Sequence, residues 1–262
     1  MPIPVATMRR RFLLHSLWAA AGISSAAQAV PTIAAASDLK FVLDDIAAQY
    51  TKDTGQTLRL TYGSSGNLAR QLEQGAPFDI FLSADESLVD GLAHKGLTVD
   101  GGQLYAIGRI VLFTATPGAF TPDAQMNGLR AALAGGQVRK FAIANPEHAP
   151  YGRAAQQALV AAGLWAVIEP RLVLGENVSQ AAQFAASGNT QGGIFALSLA
   201  LAPAFAGKGV HAVLPQSLHQ PLRQRMVLMR RASAEARAFY RRLADPGARQ
   251  VFKRYGFVLP GE

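Results

Sequence analysis

The chain of 262 residues contains no cysteine. That excludes disulfides, thiolate-bound zinc and a cysteine nucleophile. Stability must come from core burial instead. Half the residues are hydrophobic, enough for one large domain or two smaller ones. Histidine is sparse, and His94, His148, His211 and His219 are scattered. No Ser-His-Asp order emerges, and "GSSG" is not a G-x-S-x-G elbow. No membrane-length apolar run follows residue 29. Solenoid-period repeats and low-complexity linkers are also missing. Negative charge is short, with 17 Asp and Glu against 25 Lys and Arg. The surplus is local: residues 223–262 carry ten Lys or Arg and three acids. This reads as a solvated basic helix face, with docking to an acidic partner or membrane surface as the alternative. Nucleic acid is not an expected partner.

What is present begins with an export signal. Arg9, Arg10 and Arg11 precede a mostly apolar run from Phe12 to Ile23, and small residues end in Ala27-Gln28-Ala29. This layout predicts a secretory signal cleaved after Ala29. "RRRFLL" also fits twin-arginine export. A periplasmic location is expected by either route.

From Thr32 onward strands and helices alternate. "TIAAA", "TLRLTYG" and "FDIFLSA" read as strands, with helices over Leu39–Tyr50, "SSGNLARQLEQG" and Leu88–Lys95. A second series follows: "RIVLFTA", "KFAIANP" and "RLVLG" as strands, Tyr151–Ala162 and Asn177–Ser187 as helices. "GGIFALSLA" reads as a strand, or a strand then a helix. "RQRMVLMRR" reads as a late strand, and two helices follow, broken at Asp245-Pro246-Gly247. The expected fold class is α/β, with two lobes, each a mostly parallel sheet flanked by helices. Lobe I takes residues 30–108 plus 220–262, and lobe II residues 109–219.

Ligands of such sheets bind beyond the carboxyl ends of strands. Five strand-to-helix junctions there carry small, hydroxyl or capping residues: Ser37; Gly63-Ser64-Ser65-Gly66; Ser83-Ala84-Asp85; Pro150-Tyr151-Gly152; and Glu176-Asn177-Val178. Singly, each is an ordinary helix cap. Together they offer unpaired N–H groups and hydroxyls to an anion. Lys and Arg are missing from these tips, since Arg70 and Arg153 lie further into their helices. The pattern points to an oxyanion site built from neutral donors.

The stretches "AAASDL", "YGSSGNLARQLEQGAPFDIFLSAD", "NPEHAPYGRAA", "ENVSQAA" and "FKRYGF" resemble the periplasmic molybdate-binding proteins of ABC transporters. The resemblance runs in order from about residue 31 to residue 258. It implies a two-lobed periplasmic-binding-protein fold of the second type; no catalysis and no cofactor are expected, and a monomer is the default. The implied ligand is molybdate, with tungstate, held by hydrogen bonds without metal coordination by the protein. The implied partner is an inner-membrane ABC permease. Carried over by motif, Ser37 and Ser65 donate hydroxyl and N–H groups, Ala84 lines the site, Tyr151 offers its N–H and its hydroxyl, and Val178 donates an N–H. Many members carry a tyrosine where this chain has Ala196, and the Tyr151 phenol is expected to stand in for it. Asp38 would repel an anion, so a structural role is expected for it.

Three rivals remain at this level, one of them a non-transport role such as the ligand domain of a periplasmic sensor. Phosphate or sulfate shares the donor logic, and phosphate needs a proton acceptor such as Asp38. A serine hydrolase would use Ser37 or Ser65 as nucleophile. His148 is expected to order its loop, and Glu147 and Asp79 to stay apart.

Overall fold

The computed structural model describes residues 1–2, 30–115 and 118–261. The export signal expected over 1–29 lies outside them, apart from its first two residues. None of the helices described is long and apolar enough to cross a membrane.

The chain opens with β1 (Thr32–Ala36), a single 3-10 turn at Ser37–Leu39 and α1 (Lys40–Thr54). Next come β2 (Arg59–Gly63), α2 (Ser65–Glu73), β3 (Ile80–Ser83) and α3 (Glu86–His94). Only Arg109 separates β4 (Gln103–Gly108) from β5 (Ile110–Ala115). The middle of the chain forms α4 (Asn127–Ala134), β6 (Phe141–Ala144), α5 (Pro150–Ala161), α6 (Trp165–Ile168), β7 (Leu172–Gly175) and α7 (Val178–Ala186). It ends with β8 (Gly193–Ala196), α8 (Leu197–Ala200), β9 (Gly209–Val213), β10 (Leu222–Leu228), α9 (Ala234–Ala244) and α10 (Pro246–Arg254).

The strands form two five-stranded sheets, ordered β2-β1-β3-β10-β4 and β7-β6-β8-β5-β9. Both are mixed. β2, β1 and β3 run parallel, as do β7, β6 and β8. The fourth place in each sheet goes to a strand arriving from the other sheet's part of the chain. That strand, β10 or β5, pairs antiparallel on both sides. The two sheets thus share one plan, joined at Arg109 and again between β9 and β10.

Burial explains the residue choice. Every residue of β3, β6 and β8 is buried. Helices cover both faces, so these strands read as continuous apolar runs rather than alternations. β10 instead alternates at its start, burying Leu222, Gln224 and Met226 while Arg223 faces solvent. Tyr50 on α1 meets Phe239 of α9 at 5.1 Å between ring centroids, and Tyr105 of β4 meets Phe252 of α10 at 5.3 Å. These contacts fold the basic carboxyl-terminal helices onto the first sheet. Several of their cations meet acids there, including Arg242 with Asp53 at 2.7 Å and Arg254 with Asp45 at 3.7 Å.

Four elements have no counterpart in the sequence reading: β4, α4, α6 and β9. β9 is a largely solvent-facing strand, without the apolar run that marks a covered one. α4 lacks an adjacent capping residue. Its entry residue Met126 is left-handed, with φ 58°, and Asp123 reaches forward to accept the N–H groups of Asn127 and Gly128.

Candidate functional site

The carboxyl ends of β1, β2 and β3 converge with those of β6 and β7 on one small cavity. It holds about 180 Å³ of empty space, counted out to its mouth. Its walls include Ser37, Asp38, Ser64, Ser65, Ala84, Tyr151 and Val178. All five residues singled out as binding residues therefore line one space. No Lys, Arg or His lines it. Among the described residues, no cluster of three His, Cys, Asp or Glu could hold a metal ion.

The two serines are pre-aimed. Ser65 Oγ accepts the Ala84 N–H at 3.0 Å, and Ser37 Oγ accepts the Ser179 N–H at 3.2 Å. A hydroxyl that has accepted a hydrogen bond still owns one proton to give. Both side chains are almost fully enclosed, at 1% and 2% exposure. Ala84 lines the cavity, as expected, and with its N–H given to Ser65 it orients a donor.

The helices supply the rest. α5 starts with Pro150, which has no N–H, so Tyr151 carries the first main-chain donor of that helix. In α7 the Asn177 side chain caps the Gln180 N–H at 3.1 Å, and Ser179 is committed to Ser37. Val178 keeps an N–H at the first helical position. First-turn N–H groups have no intrahelical partner, and the helix dipole there favours negative charge.

The Tyr151 side chain does something other than expected. Its hydroxyl donates to Asp38 Oδ2 at 2.9 Å and accepts from Gln224 Nε2 at 3.0 Å. With its only proton given to Asp38, the phenol does not replace the tyrosine missing at Ala196. Gln224 Nε2 also donates to Asp38 Oδ2, at 2.7 Å, and Tyr105 donates to Gln224 Oε1 at 2.6 Å. Gly108 makes the approach possible, because a Cβ there would lie 2.2 Å from the Tyr151 hydroxyl. Burial raises the Asp38 carboxyl to about 6, against the pull of Gln224, Tyr151 and its own backbone N–H. Burial first, and then the Asp38 charge, push both phenols well above the usual tyrosine value.

Further hydrogen bonds clasp the two halves. Ser179 Oγ donates to the Ser37 carbonyl at 2.7 Å, and Ser198 Oγ to the Asp38 carbonyl at 2.8 Å. The Gly66 N–H donates to the His148 carbonyl at 3.0 Å, and a Cβ on Gly66 would come within 2.6 Å of that oxygen. His148 Nδ1 pairs with Ser64 Oγ at 2.9 Å. Arg153 binds Asp85, and Asn67 binds Glu176. These bonds hold the two halves together in this structure. Glu147 is exposed, while Asp79 sits at the opposite end of β3, accepting from Thr32 and Ser233.

The model of the family described as bacterial extracellular solute-binding protein matches residues 31–258, nearly all of the chain beyond the expected signal. The chain belongs to this family. This solute-binding protein is 35% identical to the molybdate-binding protein ModA of Azotobacter vinelandii, over 90% of the chain and 93% of that relative. It is 36% identical to ModA of Rhodobacter capsulatus, over 90% and 92%. The solved structure of the Azotobacter vinelandii periplasmic molybdate-binding protein superposes with a TM-score of 0.80 at 33% identity. That match covers 88% of this chain and 99% of the other.

Residue reasoning missed several parts of this solute-binding protein's site. Ser179 stood inside a quoted motif, yet nothing local announces that it meets Ser37. Gln224 lies 186 residues from Asp38 in sequence. Its only signal is a polar residue at a core-facing position of the alternating strand β10. His148 orders its loop, as expected, and it does so through Ser64 rather than Ser37 or Ser65.

Proposed function

We propose that this protein captures molybdate, and tungstate by the same geometry, in the cavity between its two sheets and delivers it to an ABC permease. One observation carries the reading. A half-open cavity is lined by Ser37, Ser65, Tyr151 and Val178, with no Lys, Arg or His in its wall, in a chain more than a third identical to molybdate-binding relatives. The protein is a binding protein, not an enzyme. Ser64, His148 and Glu176 stand in a row at 2.9 and 3.5 Å. That row spans both halves, so it breaks whenever the cleft opens to admit a solute.

The donors come from opposite halves, Ser37 and Ser65 from residues 30–108 plus 220–262, and Tyr151 and Val178 from residues 109–219. An oxyanion held by both sets stabilises the closed state by its differential affinity for it. Hydrogen bonds to a charged acceptor contribute about 1.5–3 kcal/mol each, and several offset the desolvation of a dianion. The solute enters a mature periplasmic monomer freed of residues 1–29.

Calorimetric titration of the mature chain with molybdate, tungstate, sulfate and phosphate tests this. Tight one-to-one binding of the first two, with sulfate and phosphate far weaker, is expected. A preference for sulfate or phosphate would sink the reading.

A further inference from the structure

Asp38 lines the cavity at 1% exposure, and its two carboxyl oxygens differ. Oδ2 accepts from Tyr151 and from Gln224. Oδ1 is buried and has no hydrogen-bond partner among the described residues. Every group facing this carboxyl is neutral: Tyr151 from α5, Gln224 from β10, Tyr105 behind it on β4, and the residue's own N–H. Ser198 of α8 occupies its main-chain carbonyl instead.

An ionised carboxylate in the wall of a dianion site repels its own ligand at short range. Two things can neutralise it, a cation or a proton. The cavity wall contains no cation. Oδ2 already accepts two donors, so a proton belongs on Oδ1. An Oδ1–H group then needs an acceptor, and among the described residues none is paired with Oδ1. An oxyanion oxygen is an acceptor of the right kind.

We propose that Asp38 binds the oxyanion as a carboxylic acid, donating from Oδ1, so that each anion captured takes up one proton from the solvent. This rests on the oxyanion-binding reading above. Burial already raises the group to about 6 without a ligand, and a neighbouring dianion pushes it further in the same direction. The arrangement also sorts ligands. A fully deprotonated tetrahedral dianion accepts from Asp38. A hydrogen-bearing one, such as hydrogen phosphate, brings its own proton and meets a second one in the same place.

The test is calorimetry of the mature protein with sodium molybdate in buffers of different ionisation enthalpy, from about pH 6.5 to about pH 8.5, where molybdate itself stays a dianion. We expect close to one proton taken up per anion at the upper end, with affinity falling by up to about tenfold per pH unit. Asp38→Asn keeps the shape and replaces the acid with an amide donor. It should bind without proton uptake and with a nearly flat pH profile. If that variant does not fold, the wild-type proton count stands by itself. A difference infrared spectrum, which should gain a protonated-carboxyl band on adding molybdate, supports or refutes it. Binding by the wild type without proton uptake overturns the inference and leaves molybdate capture standing. Uptake that persists in folded Asp38→Asn overturns the assignment to Asp38. Absence of molybdate binding at every pH removes the functional reading, and this inference with it.

Discussion

The Tyr151 hydroxyl lies 2.9 Å from Asp38 Oδ2, joining residues 113 positions apart. One stands at the start of α5 in the second half of the molecule, the other in the turn after β1 in the first. Their bond is buried, so it forms only when the two halves are together. The same residue thereby gives its side chain to closure and its N–H to the cavity.

Removing that hydroxyl separates the two roles. Tyr151→Phe takes a donor from a buried carboxylate, which costs about 1–3 kcal/mol of stability. It also leaves Asp38 with fewer groups favouring its charged form, so the acid titrates higher. Urea denaturation should show the loss. The pH above which molybdate affinity falls should move upward.

Gly108 closes β4 against the same phenol. A methyl group there would sit 2.2 Å from the Tyr151 oxygen and 2.9 Å from Gln224 Nε2. Both neighbours are locked by hydrogen bonds and cannot swing aside cheaply. Gly108→Ala should cost about 1–3 kcal/mol through overpacking. Small-angle scattering with saturating molybdate should find a smaller closed fraction than in the wild type.

The serines make separable contributions. Ser37→Ala and Ser65→Ala each delete one hydroxyl donor to a charged acceptor, about 1.5–3 kcal/mol. This corresponds to a roughly tenfold to hundredfold rise in Kd by calorimetry. Ser65→Ala also strips the Ala84 N–H of its acceptor, whereas Ser37→Ala strips the Ser179 N–H, which bridges the two halves. Ser37→Ala should therefore also weaken closure.

Asp38 makes stability depend on pH with a definite sign. Its folded value of about 6 stands above the usual 3.8. Between these values the folded chain holds more protons than the unfolded one. Its contribution is fully present below about pH 4 and is lost as pH rises through about 6, a loss of about 3 kcal/mol. Denaturation of wild type and Asp38→Asn across this window isolates the effect. The difference between them should grow in favour of the variant as pH rises and then level off.

Much of the architecture is written locally. The buried strands "TIAAA", "FDIFLSA" and "KFAIANP" stand as continuous apolar runs. The break at Asp245-Pro246 falls between α9 and α10, and the helices read at Tyr151–Ala162 and Asn177–Ser187 match α5 and α7 to within a residue at each end. Periodicity and capping depend on neighbours three or four residues away, so one stretch of chain contains them. The serines and N–H groups of the cavity follow from the same local rule, since they are helix starts after strands. β9 and α4 escaped because one faces solvent and the other is capped from a distance.

The sequence by itself determined most of the elements, the two-part rhythm and a set of neutral donors at five junctions. Only the tertiary structure decided which donors remain available. Ala84 spends its N–H on Ser65, Tyr151 gives its phenol to Asp38, and Gln224 arrives from a strand at the far end of the chain. A hydrogen bond uses up its donor, and which donor meets which acceptor depends on how the two sheets pack, not on any spacing along the chain.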